Sequence, residues 1–509
     1  MKSDILLIHP PLSYDTEKHI SFYKNSYVGY GMLSIAAFLR ENGYSVKILH
    51  VPLLLQERKS CHTEMVKDYI RRADPSLVGI EMNWMQYSLG AVQTANIVKS
   101  LNPDLPVVIG GTHANLFAEE IVKNYDVDAV ARGEAEIAML KIAENVEKWA
   151  EKDIRGIVTK RGGKIVETPE TVIRNIDDIP HYDYEGIEPR WLPTKSMSIY
   201  QSGRGESEEI IRSALNTCRG VCRHNCTYCV ACRDSRLWNR QFTHHSPDWI
   251  VEQMKILLEK YNVDFFTIQD PIYCSSKNFF SQLCGNIVKE GLNSQVEIDV
   301  NFLPGTVGGQ TLKHLSRAGV SRVWLGLESG SDKVLKLNNR PLNTRKMLDF
   351  IKMVKGAGIV PMSSFMTGLP GETQKDIEET ISFAKKTVKS GCLPRYISPV
   401  TFFPKTLAYT FPEKYGIELC MKNFEDYFSY YGRKDYLEMI THKTRHMSEA
   451  DIINAALRIK NILADLTTPE LFKKAARSIE HHTKMHGILE SYAENIEDYR
   501  DIIRFHNIF

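Results

Sequence analysis

The chain has 509 residues, more than one hydrophobic core usually organises, so two or three domains are expected. Hydrophobic residues at 43% and charged residues at 25% are ordinary globular values, and 64 Lys plus Arg against 62 Asp plus Glu leave a formal charge of +2. So balanced a surface gives no argument for a nucleic-acid or anionic-membrane partner, and no window offers the ~20 uninterrupted apolar residues of a membrane span.

The N-terminal MKSDILLIHPP is too short and too interrupted for a signal peptide; it reads as a buried strand, and a cytoplasmic location is expected. Over residues 1–150, short apolar runs alternate with helical patterns. DILLIHPP, VKILHV, LVGIEMNW, PVVIGG and VDAVARG read as strands, with YGMLSIAAFLRENGYS, CHTEMVKDYIRRAD, LGAVQTANIVKSLN and LFAEEIVKNY as the intervening helices. Strands joined through helices predict a parallel sheet covered on both faces, a doubly wound, Rossmann-like domain. Such a sheet binds ligands at the carboxyl ends of its strands, here Pro10–Tyr14, Asn83–Ser88 and Gly110–His113.

Residues 151–205 read as a connector, with a hairpin turning at Gly162–Gly163. Over 206–412 the alternation resumes for six β/α units, which predict a partial barrel whose working face lies at the strand C-termini. Residues 413–509 read as mainly helical, and their aromatics (Tyr427, Tyr430, Tyr431) and histidines (His481, His482, His486) as packing and surface.

Five of the ten cysteines fall within CRGVCRHNCTYCVAC, from Cys218 to Cys232. In a chain without a secretory signal such clustering points to metal rather than to disulfides. Cys222, Cys226 and Cys229 have the spacing C-x3-C-x2-C. Three thiolates on one loop can hold three irons of a [4Fe–4S] cube and leave the fourth open. The competing reading is structural zinc, which usually takes two C-x2-C pairs. Cys218 and Cys232 read as ordinary loop thiols.

The loop, with Tyr228 before its third ligand, resembles that of the radical S-adenosylmethionine (SAM) superfamily. GLESGSDKVL and FMTGLPGET resemble that superfamily's fourth- and fifth-strand segments. The resemblance implies that SAM chelates the open iron. It implies further SAM contacts at Tyr228 beside the adenine, at Gln269 and Asp270 for the amino group, and at Glu328, Ser363, Ser364 and Gly368. TIQDPIY departs from the usual Gly-Gly-Glu form at the second strand, and Glu328 reads alternatively as a cap for Ser329 or Ser331. Phe402 and Phe403 are an adenine wall or plain core.

Residues 1–150 are similar to the cobalamin-binding domain of the B12-dependent radical SAM family, above all in Gly110-Gly111-Thr112-His113 and Arg132-Gly133-Glu134. That likeness implies cobalamin contacts at Tyr14, Trp84, Ser88, Gly110, Gly111, Thr112, His113 and Glu134. The D-x-H-x-x-G corrinoid signature is absent, so His113 reads as packing or hydrogen bonding rather than as a cobalt ligand. The resemblance implies a methyltransferase that uses a 5′-deoxyadenosyl radical and methylcobalamin to methylate an unactivated carbon or phosphorus centre. The alternative is a cyclisation or rearrangement with the same cofactors. A small-molecule, lipid or natural-product substrate and an electron donor of the flavodoxin or ferredoxin type are the implied partners.

Overall fold

The computed structural model describes residues 3–14, 28–57, 62–188, 211–232, 240–268, 270–432, 440–479 and 481–505. Two compact units divide them. One holds the N-terminal residues through 188 together with 422–432; the other holds the remainder.

The first unit is built on an eight-stranded sheet of β1 (Ile5–His9), β2 (Val46–His50), β3 (Leu77–Glu81), β4 (Val107–Gly110), β5 (Ala129–Ala131), β6 (Ile157–Arg161), β7 (Lys164–Glu167) and β8 (Ile187–Glu188). Its order is β7-β6-β5-β4-β3-β1-β2-β8, and β1 to β5 are parallel. All five residues of β1 and of β3 are buried, as continuous apolar runs under helices on both faces require. The order reverses between β1 and β3, the switch point where open α/β sheets bind ligands.

The hairpin predicted at Gly162–Gly163 is present, both glycines having positive φ. It is no free connector, because β6 pairs antiparallel with β5, while β8 pairs with β2 at the opposite edge. The expected boundary near residue 150 therefore moves to beyond 188: backbone groups along β2 and β5 that would be open edges are covered by this segment. The C-terminal region is not one helical body either. The 3-10 turn Phe424–Gly432 belongs to the first unit, where Phe424 packs on Phe117.

The second unit carries a six-stranded parallel sheet of β9 (Arg212–Ala214), β12 (Phe265–Ile268), β13 (Glu297–Phe302), β14 (Val320–Glu328), β15 (Val360–Thr367) and β16 (Leu393–Pro399), in sequence order. This is the predicted partial barrel. Two small antiparallel pairs flank it, β10 (Cys218–Arg219) with β11 (Thr243–His244) and β17 (Ile417–Leu419) with β18 (His442–Thr444). Helices begin where the sequence supplies caps. Ser246 accepts from the Trp249 amide ahead of Pro247, and Thr373 with Asp376 forms a capping box. Among the described residues no helix is long and apolar enough to cross a membrane.

Candidate cofactor sites

The cysteine loop leaves the carboxyl end of β9. Asp270, just past β12, accepts from the Thr217 amide (2.5 Å), the Thr217 hydroxyl (2.8 Å) and the Cys218 amide (3.0 Å). Burial nevertheless raises its carboxyl to about 6. Asp270 is thus a clamp on the start of the loop, and its expected contact with SAM competes with three existing bonds. Gln269 lies outside the described residues. On the far side of the loop, the Thr227 hydroxyl donates to Asn338 Oδ1 (2.6 Å) and the Thr227 carbonyl accepts from the Ala408 amide (2.9 Å). Cys222 and Cys232 form a bridge through the Cys222 amide and the Ala231 carbonyl (2.8 Å).

These clamps bury Cys222 and Cys226 and half-bury Cys229. Among the described residues no three His, Cys, Asp or Glu side chains close round a single ion. The thiols differ chemically. A hydrogen bond from Cys274, 3.9 Å away, pulls Cys222 down against its burial, with the Tyr273 hydroxyl at 3.5 Å acting in the same direction. Burial pushes Cys229 up to about 12, and raises Cys218, which also faces Asp270. Tyr273 and Cys274 follow β12 in a short 3-10 turn and were not singled out in the sequence.

Arg340 likewise stands in no motif of the chain. Its Nη1 stands 3.7 Å from Cys226 Sγ, and its Nη2 donates to the Gly326 carbonyl (2.5 Å) and to Glu328 Oε1 (3.2 Å). Glu328 ends β14 at a bulge with φ of +63°, a left-handed conformation unusual for a residue with a side chain. Its Oε2 and Arg340 Nε are buried without a hydrogen-bond partner among the described residues. Burial raises the Glu328 carboxyl while Arg340 lowers it. A buried acceptor and a buried donor left open beside the cysteine loop suit a zwitterionic amino-acid ligand such as SAM.

The remaining expected SAM residues divide. Ser363 and Ser364 are neighbours on a strand and so point to opposite faces; Ser363 is fully buried, and Ser364, level with Gly326 and Tyr396, is the partly open one. Tyr228 is buried with Val400, Phe402 and Leu369, which makes Phe402 core. Gly368 has φ of +77°, and a Cβ there would stand 2.9 Å from Ile452 and 3.0 Å from His442 Nε2. Its glycine is required by packing within the protein.

In the first unit, a hydrogen-bonded chain links the ends of three strands. His9 Nδ1 meets Glu81 Oε2 at 2.6 Å, Asn83 Nδ2 donates to Glu81 Oε1 (2.9 Å), and Asn83 Oδ1 accepts from the Thr112 amide (3.1 Å). Around it, Tyr14 bonds Gln93 and Thr94 (3.0 Å each), and the Ser88 hydroxyl donates to the Met85 carbonyl. Trp84, at this strand end, is 36% exposed. Gly111 has φ of +118°, and a Cβ would stand 2.8 Å from the backbone of Met82 and Asn83; Gly110 has ordinary room, with Ala131 Cβ at 3.7 Å. Only Gly111 is required by the fold.

Two expected cobalamin residues are engaged elsewhere. Glu134 accepts from the Ile173 amide (2.5 Å) and so anchors the connecting segment. His113 is 1% exposed, ringed by Phe117, Tyr427 and Phe424 at 5.0–5.9 Å. Neither of its nitrogens has a hydrogen-bond partner among the described residues, and burial lowers it to about 3. It is a neutral packing residue.

A doubly wound sheet whose strand ends share a hydrogen-bonded chain and a half-barrel with a cysteine triad on the loop after its first strand define the class: a cofactor-binding protein of two compact units. The profile of the Radical SAM superfamily matches residues 218–384, and that of the B12 binding domain matches residues 23–143. The chain thus carries a B12-binding domain followed by a Radical SAM domain. An uncharacterized methyltransferase of Pyrococcus horikoshii is 28% identical over 320 residues, 62% of this chain and 65% of that protein. The anaerobic magnesium-protoporphyrin IX monomethyl ester cyclase of Rubrivivax gelatinosus is 25% identical over 395 residues, 75% of this chain and 65% of that one. The chain thus spans just under two thirds of the length of both relatives. The solved radical SAM methyltransferase TsrM of Kitasatospora setae, with tryptophan and a SAM analogue bound, has a TM-score of 0.69 at 14% identity, covering 97% of this chain and 98% of that one. At that identity the likeness is one of fold.

Proposed function

We propose that the protein is a cobalamin-dependent radical SAM methyltransferase, acting on an unactivated carbon or phosphorus centre of a small molecule. The carrying observation is the group at the end of β14, where Glu328 and Arg340 leave a buried acceptor and a buried donor open beside Cys226. When bound, the [4Fe–4S] cluster and SAM supply a hydrogen-abstracting radical, and cobalamin carries the methyl group.

The chain's own residues then have separate tasks. Cys222, Cys226 and Cys229 hold the cluster. Arg340 neutralises the ligand carboxylate and the thiolate charge at Cys226, and Glu328 accepts from the ligand amino group. In the first unit the carboxyl ends of β1, β3 and β4 bind cobalamin, with Trp84 against the corrin and Gly111 bringing backbone close. The substrate is a small molecule, and the electron comes from a flavodoxin- or ferredoxin-type donor. The B12-binding profile and the relationship to a methyltransferase support methyl transfer; the relationship to a cyclase over 75% of this chain favours, as second reading, a ring closure with the same cofactors.

The test is anaerobic incubation of reconstituted protein with methyl-deuterated SAM and a low-potential reductant. Transfer of label to a product supports methylation. Formation of 5′-deoxyadenosine with an unlabelled, dehydrogenated or cyclised product selects the second reading.

A further inference from the structure

The segment after β12 is tied to the cysteine loop at two places. Asp270 holds the start of the loop through Thr217 and Cys218. Three residues on, Arg223, which follows the first thiol of the triad, reaches back. Its Nη2 donates to the carbonyls of Tyr273 (3.3 Å) and Cys274 (3.1 Å). Between the ties the chain makes the 3-10 turn Ile272–Cys274, closed by the Cys274 amide on the Pro271 carbonyl (2.9 Å) and the Ser275 amide on the Ile272 carbonyl (2.9 Å). Ile272 is buried, so the turn has an apolar anchor as well.

This turn brings two side chains to one sulfur. The Tyr273 hydroxyl stands 3.5 Å from Cys222 Sγ, and Cys274 Sγ stands 3.9 Å from it. Between a phenol and a free thiol either partner could donate. A cysteine sulfur bound to iron has lost its proton, so there the phenol O–H must donate. The S–H of Cys274 is the weaker donor of the two. A hydrogen bond to a ligand sulfur draws electron density from the metal, and it strengthens when an added electron makes the cluster more negative.

We propose that Tyr273 is a positioning residue for the iron–sulfur cluster: its hydroxyl donates to Cys222 Sγ and so raises the potential at which the bound cluster accepts an electron. The inference rests on Cys222 being a cluster ligand. Arg223 and the 3-10 turn fix the phenol at that distance, and Cys274 adds a smaller effect in the same direction.

The test is a potentiometric titration of the reconstituted full chain, with reduced cluster counted by electron paramagnetic resonance. The unaltered protein, Tyr273→Phe and Cys274→Ala are compared at equal iron content. Tyr273→Phe should have the more negative midpoint, with the ratio of reduced to oxidised cluster at a fixed potential lowered by up to about tenfold, or about 59 mV for one electron. Cys274→Ala should shift the same way by less. Replacing Tyr273 with 3-fluorotyrosine, a stronger donor of nearly equal size, should move the midpoint upward, and this decides the matter should the phenylalanine variant fail to hold the cluster. A midpoint in Tyr273→Phe equal to or above that of the unaltered protein, or one unmoved by the fluorine, overturns the inference and leaves the cluster assignment standing. Lack of any [4Fe–4S] signal in the unaltered protein overturns both.

Discussion

Arg340 and Cys226 are 114 positions apart in sequence, yet the guanidinium Nη1 stands 3.7 Å from the sulfur. The same guanidinium pairs with Glu328 at 3.2 Å, so one cation serves a cysteine of the loop and a carboxylate at the end of β14. Placing a fixed positive charge there favours an anionic ligand beside it.

Replacing Arg340 by Gln leaves Glu328 buried without its counter-charge. The expected cost is about 3–5 kcal/mol of stability, from the removal of one partner of a buried pair. Chemical denaturation checks this. Combining Arg340→Gln with Glu328→Gln should recover a large part of the loss, whereas SAM affinity, measured by equilibrium dialysis on reconstituted protein, should stay at least about tenfold weaker in both.

Cys222→Ser, Cys226→Ser and Cys229→Ser should each abolish iron–sulfur absorbance after reconstitution. Cys218→Ala should retain full iron and sulfide, since Cys218 stands outside the C-x3-C-x2-C triad. Iron loss in Cys218→Ala equal to that in Cys222→Ser would show that the cluster uses a different set of ligands.

His113 sits at about 3 in the folded protein because burial opposes its charge. The unfolded chain takes up that proton near the ordinary 6.5, so the unfolded state binds more protons below this pH. Stability is fully present above about 6.5 and falls as pH drops toward 3. His113→Phe removes the penalty: stability at pH 7 stays within about 1 kcal/mol, and at pH 5 the variant gains about 2 kcal/mol relative to the unaltered protein. Urea unfolding at the two pH values measures it. Cobalamin affinity should be unchanged, as a neutral packing residue requires.

Gly111→Ala should be more destabilising than Gly110→Ala by about 2 kcal/mol or more, because only the former forces a Cβ against the Met82–Asn83 backbone at positive φ. Thermal midpoints of the pair read this, and cobalamin retention should fall only in Gly111→Ala.

Much of the architecture was legible along the chain. The apolar runs of β1 to β5 are local signals, as each strand carries its own burial pattern, and the six β/α units of the barrel repeat the same alternation. The cysteine spacing was legible for the same reason, since all three thiols lie on one loop. The site contacts were less so. Ser363 and Ser364 look equivalent in sequence, but strand alternation sends them to opposite faces, and which face is open depends on the neighbouring strands.

By itself, then, the sequence determined the order of the two α/β sheets, their parallel strands and the cysteine-rich loop, because periodicity and spacing are properties of consecutive residues. Tertiary structure alone decided that Arg340 meets Cys226, that Glu134 caps a connector and that His113 is sealed among Phe117, Phe424 and Tyr427. Those pairings depend on strand register and on which distant segment folds over which face, and no local pattern carries that information.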